Sequence, residues 1–206
     1  MPSPQDGISV DHHDWHSRSY VDEWIARDIT RDEERRLRLR RMLADASFTA
    51  AAGIAVLDVG GGYGVVTEEV LQAFPRSIVT LQDYSQPMLD QARRRLAAHG
   101  GRVKYMVGDL RDPAWTTGLV GAFDLAVSAI AIHNLRDLAQ IAACYRAIAG
   151  TLKPDGVFLD YDLFDLIGGI DAQMRTIRVA GFAAVECLWQ EGRLAIIRAR
   201  EPRGAD

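Results

Sequence analysis

The sequence predicts an α/β fold: a mostly parallel seven-stranded sheet with helices on both faces, an antiparallel C-terminal hairpin and a helical N-terminal cap. Three observations predict it. From Ile54 onward short apolar runs alternate with helical patterns, the mark of strand–helix–strand units whose crossover helices cover a parallel sheet. The last two apolar runs are separated only by Gln190-Glu191-Gly192-Arg193, too short a link for a crossover, so they pair antiparallel. The residues before Ile54 show helical periodicity and no strand for them to pair with.

Taken in order, residues 14–28 and 31–46 read as two helices, the first capped near Asp14, lying across the end of the sheet. Runs 54–59, 77–81, 102–107, 123–128 and 157–161 read as strands. After the second of them, Met88, Ala92 and Leu96 fall on one helical face while Arg93, Arg94 and Arg95 point elsewhere. Ser85 suits the N-cap of that helix, with Pro87 in its first turn. Leu138, Ile141, Ala142, Tyr145, Ile148 and Ala149 make a second stripe, ended by the turn Lys153-Pro154-Asp155-Gly156. Ile170, Met174 and Ile177 mark a further helix stopped by Gly181, and runs 182–189 and 194–199 form the hairpin. Residues 1–10 and 201–206 are expected to fray.

A chain of 206 residues suits one domain and buries a core without disulfides or metals. Cys144 and Cys187 are isolated, so they read as small hydrophobes rather than ligands. The polar opening residues carry no signal-peptide pattern, and no apolar run nears the roughly 18 residues of a membrane span. A cytoplasmic protein without a membrane partner is expected, as a monomer or homodimer. The net charge of -4 argues against nucleic acid as a partner, because phosphate contacts need concentrated Lys and Arg. One basic run exists at 35–41, just after Asp32-Glu33-Glu34; a solvated helix face is the favoured reading over an anion or RNA site.

The chemistry concentrates at strand ends. Val56-Leu57-Asp58-Val59-Gly60-Gly61-Gly62-Tyr63-Gly64 is a strand closed by an acid, then a glycine loop running into a helix. Gly60 and Gly62 allow a tight turn and close approach of a ligand, and the helix N-terminus supplies free N–H groups. A dinucleotide fingerprint needs a third glycine where Val65 stands. Asp58 would repel a pyrophosphate but suits an amino-bearing ligand. Asp83 ends the next strand about twenty residues on, where an acid can bridge ribose hydroxyls. Gly108-Asp109-Leu110 follows the third strand. Three acids at successive strand ends, with no basic residue in the loop, describe a nucleoside site without phosphates.

From about Ile54 to Gly156 the chain resembles the class I S-adenosylmethionine-dependent methyltransferases, particularly the small-molecule type. The Asp83-Tyr84-Ser85-Gln86-Pro87-Met88-Leu89 segment, the strand Phe123-Asp124-Leu125-Ala126-Val127-Ser128 and the approach Leu152-Lys153-Pro154-Asp155-Gly156 carry the likeness. The resemblance implies a Rossmann-like domain over 51–206 behind a cap over 1–50, with S-adenosylmethionine as cofactor and S-adenosylhomocysteine as product. Asp58 and the loop of Gly60, Gly62 and Gly64 would hold the methionine end, and Asp83 the ribose. Tyr84 and Met88 would flank adenine, Asp109 with the Leu110 N–H would read its edge, and Ser128 would border the cofactor from the fourth strand.

Methyl transfer is an in-line displacement, so alignment does most of the work and an oxygen acceptor adds the need for a base. His133, just past the fourth strand, is the candidate; a structural role capping the helix near Arg136 fits equally well. Trp15, Tyr20 and Trp24 lie at spacings near four, so packing of the cap is the plainer reading. The functional one has Tyr20 or Trp15 facing the sulfonium through cation–π attraction. His12, His13 and His16 suggest a metal only weakly, and none is expected. Asp160, Tyr161 and Asp162 rank below His133 as contacts to the acceptor. Ser128-Ala129-Ile130-Ala131 replaces the Asn/Asp-Pro-Pro-Tyr signature of adenine and glutamine amide methylation, and no Pro-Cys nucleophile is present. The expected activity is methylation of a small molecule on oxygen or nitrogen. The alternatives are a protein or RNA methyltransferase and a non-catalytic S-adenosylmethionine-binding module.

Overall fold

The computed structural model describes residues 14–200. The expected fraying of the termini and the histidines His12 and His13 lie outside the described residues. β1 (Ala55–Val59), β2 (Ile78–Asp83), β3 (Val103–Val107), β4 (Phe123–Ala129), β5 (Leu152–Leu163), β6 (Ala184–Glu191) and β7 (Leu194–Arg200) form one sheet, ordered β3-β2-β1-β4-β5-β7-β6. Strands β1 to β5 pair in parallel, and β7 runs antiparallel to both β5 and β6. The C-terminal hairpin is tighter than its sequence suggests, since β6 runs through Glu191 and only Gly192 (φ 56) and Arg193 link it to β7. Lys153-Pro154-Asp155-Gly156 forms no separate turn. It is absorbed as an irregularity in β5, whose pairing jumps from Phe123–Leu152 to Leu125–Val157.

Strand alternation divides the core in two. Val56, Leu125, Leu159 and Ile196 face α2 (Asp32–Ala44), α3 (Val65–Ala73) and α4 (Gln86–Arg95), and all four are fully buried. Leu57, Ala126, Phe158 and Ile197 face α5 (Leu138–Thr151) and α6 (Ile170–Val179). With both faces covered, the central strands read as unbroken apolar runs. Caps fix the helix starts. The Ser85 hydroxyl accepts the Met88 N–H at 3.1 Å, as its place before Pro87 predicts. Asp137 caps α5 through the Gln140 N–H at 2.8 Å, and Ser17, not Asp14, caps α1 (Arg18–Asp28) through the Tyr20 N–H at 3.3 Å.

The arginine run needs a correction. It is neither a plain solvated face nor a basic patch, because its members strap α2 to the domain. Arg36 pairs with Glu68 at 2.6 Å and Glu69 at 2.5 Å, and Arg40 pairs with Glu69 at 2.8 Å. The Glu69 side chain is only 1% exposed, so without those guanidinium groups a charge would stand in low dielectric. Arg38 and Arg41 stack 5.5 and 5.9 Å from the Trp189 ring centroid. Leu39, Met42 and Leu43 of the same helix are buried in one core with Val56 and Val70, so apolar packing crosses the expected boundary near residue 50. α1 is held differently. Val21 is its one buried residue, and polar links fasten it to α4: Ser85 Oγ to the Trp15 carbonyl at 2.5 Å, Arg18 to Asp90 at 3.0 Å, and Gln91 to Asp22. No described helix is long and apolar enough to cross a membrane.

Candidate active site

Strand order reverses at β1, which lies between β2 and β4, and open α/β sheets form their binding crevice at that point, outside the carboxyl ends. A cavity of about 500 Å³ occupies the crevice, beneath the first helix. Gly60, Gly61 and Gly62 form its floor, the β2 and β3 ends one side, and residues just past β4 the other.

The glycine loop is built for close approach. At Gly62 (φ 53) an added Cβ would meet no protein atom within 4 Å, so this surface opens into the cavity and a ligand can rest on bare backbone. Gly60 serves a second loop instead, since a Cβ there would lie 2.6 Å from Ala131 Cβ. Gly64 does not line the cavity; it lets the α3 N-terminus pack against Leu96, 2.8 Å from where a Cβ would stand. Asp58 departs from its expected role too. Alternation along β1 turns its side chain to the α3 side, where it is fully buried under Gly61 and accepts the Thr67 hydroxyl at 2.6 Å. Its Oδ1 has no hydrogen-bond partner among the described residues. Ser128 is likewise sequestered, donating to the Val59 carbonyl at 3.1 Å, and neither residue lines the cavity.

Burial pushes the Asp58 carboxyl from 3.8 up to about 7, with the nearby Asp83 charge adding and the Thr67 bond opposing. The unfolded chain therefore loses this proton near pH 4 while the folded chain keeps it to about 7. Folded protein binds more protons across that window, so stability falls as pH rises through it and levels off above. At about 1.4 kcal/mol per tenfold change in acidity, the loss is on the order of 4 kcal/mol. Asp58→Asn keeps an acceptor for Thr67 without the charge. Its melting temperature should gain on wild type steadily from pH 5 to pH 7.5; parallel profiles would refute the buried-acid reading.

The β2 end supplies the best-formed polar wall. Asp83 Oδ2 accepts the Gly62 N–H at 2.9 Å and Oδ1 the Ser85 N–H at 2.8 Å, which fixes the carboxylate with lone pairs left over. Burial pushes its carboxyl up, and the N–H groups of Ser85, Gly62 and Tyr84 pull it back. Gln82 has no counterpart in the sequence reading. Its Oε1 accepts the Gly60 N–H at 3.0 Å and its Nε2 donates to the Gly108 carbonyl at 2.5 Å, tying three strand-end loops together. Tyr84, Met88, Asp109 and Leu110 line the same side as expected. Asp109 accepts both the backbone N–H and the Nε of Arg111, at 2.9 and 3.0 Å, and His16 sets its ring edge-on to Tyr84 at 5.1 Å.

Opposite stands His133, in a 3-10 turn at Ile132–Leu135. Its Nδ1 lies 2.5 Å from Asp162 Oδ1, and its backbone N–H donates to Asp162 Oδ2 at 3.0 Å. Asp162 is fully buried at the end of β5. A carboxylate only accepts, so it selects the tautomer with the proton on Nδ1 and leaves a lone pair on Nε2. Asp160, two residues earlier, has no partner for Oδ1 among the described residues and takes Tyr145 at 3.4 Å on Oδ2. Burial and the Asp162 charge hold its carboxyl well above the usual range. The other reading of His133, a cap for the following helix, does not hold because Asp137 fills that place.

The cap contributes Trp15 and Trp24 to the cavity wall, their rings edge-on at 5.2 Å. Tyr20 does not line it; its ring packs edge-on against Trp15 at 5.4 Å. Beside Trp24, Tyr63 donates to Asp28 at 2.9 Å, and Arg35 pairs with Asp28 and donates to Tyr63 at 3.4 Å. All three line the cavity, presenting a carboxylate and a guanidinium side by side.

The strand order and crevice define an open α/β domain of the nucleoside-binding kind. Residues 56–156, just under half of the chain, match the family described as a methyltransferase domain. Malonyl-(acyl-carrier protein) O-methyltransferase of Halalkalibacterium halodurans is 29% identical over 105 residues, 51% of this chain and 37% of that one. Release factor glutamine methyltransferase of Chlorobaculum tepidum is 34% identical over 88 residues, 42% of this chain and 30% of that one. The chain thus spans well under half the length of these curated relatives. An O-methyltransferase family protein from Burkholderia thailandensis shares the fold, with a TM-score of 0.75 at 20% identity over 92% of this chain and 62% of that one. The cofactor of the family fits the residues present: a bare glycine surface at Gly62 beside a buried carboxylate with free lone pairs.

Proposed function

We propose that this chain transfers the methyl group of S-adenosylmethionine to an oxygen or nitrogen of a small molecule, with His133 as the general base. The observation that carries the proposal is the double hold of Asp162 on His133 at the cavity wall, which leaves one ring nitrogen able to take a proton.

Bound in the crevice, the cofactor supplies a methyl group activated by its sulfonium. The chain's own residues orient and deprotonate. Asp83 is assigned the ribose hydroxyls and the bare surface of Gly62 the backbone approach. Tyr84, Met88 and Leu110 are assigned the adenine, with Asp109 at its edge. Asp28 and Arg35 suit the zwitterionic methionine end, a role that Asp58 is too deeply buried to fill directly. Of the two aromatic residues considered for the sulfonium, Trp15 lines the cavity and Tyr20 does not, so Trp15 is assigned that contact. His133 Nε2 takes the acceptor's proton as the carbon–oxygen or carbon–nitrogen bond forms, and Asp162 stabilises the resulting imidazolium. Holding the partners in line is worth about 7–11 kcal/mol, so removal of the proton is the one chemical task left to a side chain.

A small acceptor is favoured over RNA because the arginine run is occupied by Glu68, Glu69 and Trp189. It is favoured over a silent module because the cavity is open at His133. The test incubates the protein with methyl-labelled S-adenosylmethionine and a cell extract, then separates products by size. Label in the low-mass fraction is expected. Label in protein or RNA would replace the acceptor class, and no label despite cofactor binding would point to the silent module.

A further inference from the structure

We infer that the methyl acceptor is an acidic small molecule, docked through a carboxylate or phosphate on Arg136 at the cavity mouth. The inference rests on the small-molecule reading above. Three arginines line the cavity: Arg35, Arg111 and Arg136. Arg35 is engaged by Asp28 and Tyr63 and is assigned above to the methionine end of the cofactor, and Arg111 is engaged by Asp109 at 3.0 Å. Arg136 is exposed, and its side chain makes no hydrogen bond or ion pair with any described residue. In a wall whose other cations are neutralised, a lone guanidinium fork is an oxyanion receptor, and it draws acidic ligands toward the mouth.

The backbone supplies a second, independent observation. Arg136 ends the turn of His133 in the left-handed region, at φ 59 and ψ -28. Glycine or asparagine fills that conformation at lower cost, so nothing in the turn itself calls for arginine. Ile130, at φ 53 on the other side of the same short segment, is a β-branched residue in the same region and also lines the cavity. Strain of this kind gathers where a wall must hold a set shape for a ligand.

The position relative to the base completes the argument. The Arg136 N–H donates to the His133 carbonyl at 3.1 Å, so one tight turn joins the two residues. Residues at the ends of such a turn have Cα atoms within about 7 Å, a span that one small molecule covers. An acceptor anchored by its anion on Arg136 can therefore present a hydroxyl or amine to His133.

The test divides the low-mass fraction of the extract on an anion-exchange resin before incubation with labelled cofactor. Label is expected from the retained anions and not from the flow-through, and phosphatase pretreatment separates phosphates, which lose their activity, from carboxylates, which keep it. Arg136→Gly suits the left-handed backbone, so folding is not at risk. It should cut incorporation at least tenfold at low acceptor, recover as the acceptor fraction is concentrated, and bind S-adenosylhomocysteine as wild type does. Arg136→Lys keeps the charge without the fork and should retain activity between that of Arg136→Gly and wild type. Label from the flow-through, an Arg136→Gly protein equal to wild type, or one with weakened S-adenosylhomocysteine binding would each overturn the assignment. Absence of label from both fractions would instead defeat the small-molecule reading, and the docking inference with it.

Discussion

Replacing His133 with alanine is expected to slow methyl transfer to an oxygen acceptor by about 10²- to 10⁴-fold, the usual contribution of a positioned general base. Cofactor affinity should stay unchanged, because the contacts assigned to the cofactor run through Gly62, Asp83 and the β3 end rather than through the imidazole. The more discriminating variant is Asp162→Asn. An asparagine still accepts one hydrogen bond, so the turn at Ile132–Leu135 survives, but its amide can donate to Nδ1 and stabilise the opposite tautomer. The lone pair would then sit on the wrong nitrogen. Asp162→Asn should lower the rate by a large part of the His133→Ala loss, with little change in acceptor KM. Titration calorimetry with S-adenosylhomocysteine and single-turnover rates separate binding from chemistry. A protein lacking His133 that methylates at the wild-type rate would remove the base from the mechanism. It would leave an acceptor that reaches the cavity already deprotonated, as a free carboxylate does.

How far the sequence anticipates this site depends on how local each contact is. The β1–loop–α3 unit and the Ser85 cap are consecutive in the chain, and their residue types specify them, so they were readable in place. Asp83 was readable for the same reason, by its distance from the glycine loop. The His133–Asp162 pair spans 29 residues and two strand ends, which no periodicity reports. A weaker signal was present: Asp160 and Asp162 share one face of a buried strand, and carboxylates so placed need partners. Asp58 was misjudged although its parity with Val56 already assigned it to the α3 face. Tyr20 was misjudged because helical spacing was extended across Ser17, the N-cap, so Trp15 lies before the helix and follows a different path to the cavity. The arginine run looked solvated because its partners, Glu68 and Glu69, lie about thirty residues away on another helix.

Substituting Asp83 tests the cofactor side with the second large effect. As the ribose acceptor, this carboxylate would contribute charge-assisted hydrogen bonds worth about 1.5–3 kcal/mol, so Asp83→Ala should weaken S-adenosylmethionine binding by tenfold to about a hundredfold. The structure adds a complication that affects how the result is read. Asp83 also accepts the N–H groups of Gly62 and Ser85, and alanine would leave both donors unpaired, loosening the glycine loop and the α4 cap together. Affinity could then fall through lost shape rather than a lost ribose contact. Asp83→Asn separates the causes, since it keeps one acceptor for the loop while removing the charge. Ribose recognition predicts that Asp83→Asn loses most of the affinity while melting close to wild type. It also predicts that 2′-deoxy-S-adenosylhomocysteine loses less affinity on the substitution than S-adenosylhomocysteine does, because one of the two hydroxyl contacts to the carboxylate is already absent. If Asp83→Asn binds the full cofactor as wild type does, the carboxylate serves only the loop, and the ribose must be held by another group at the β2 end.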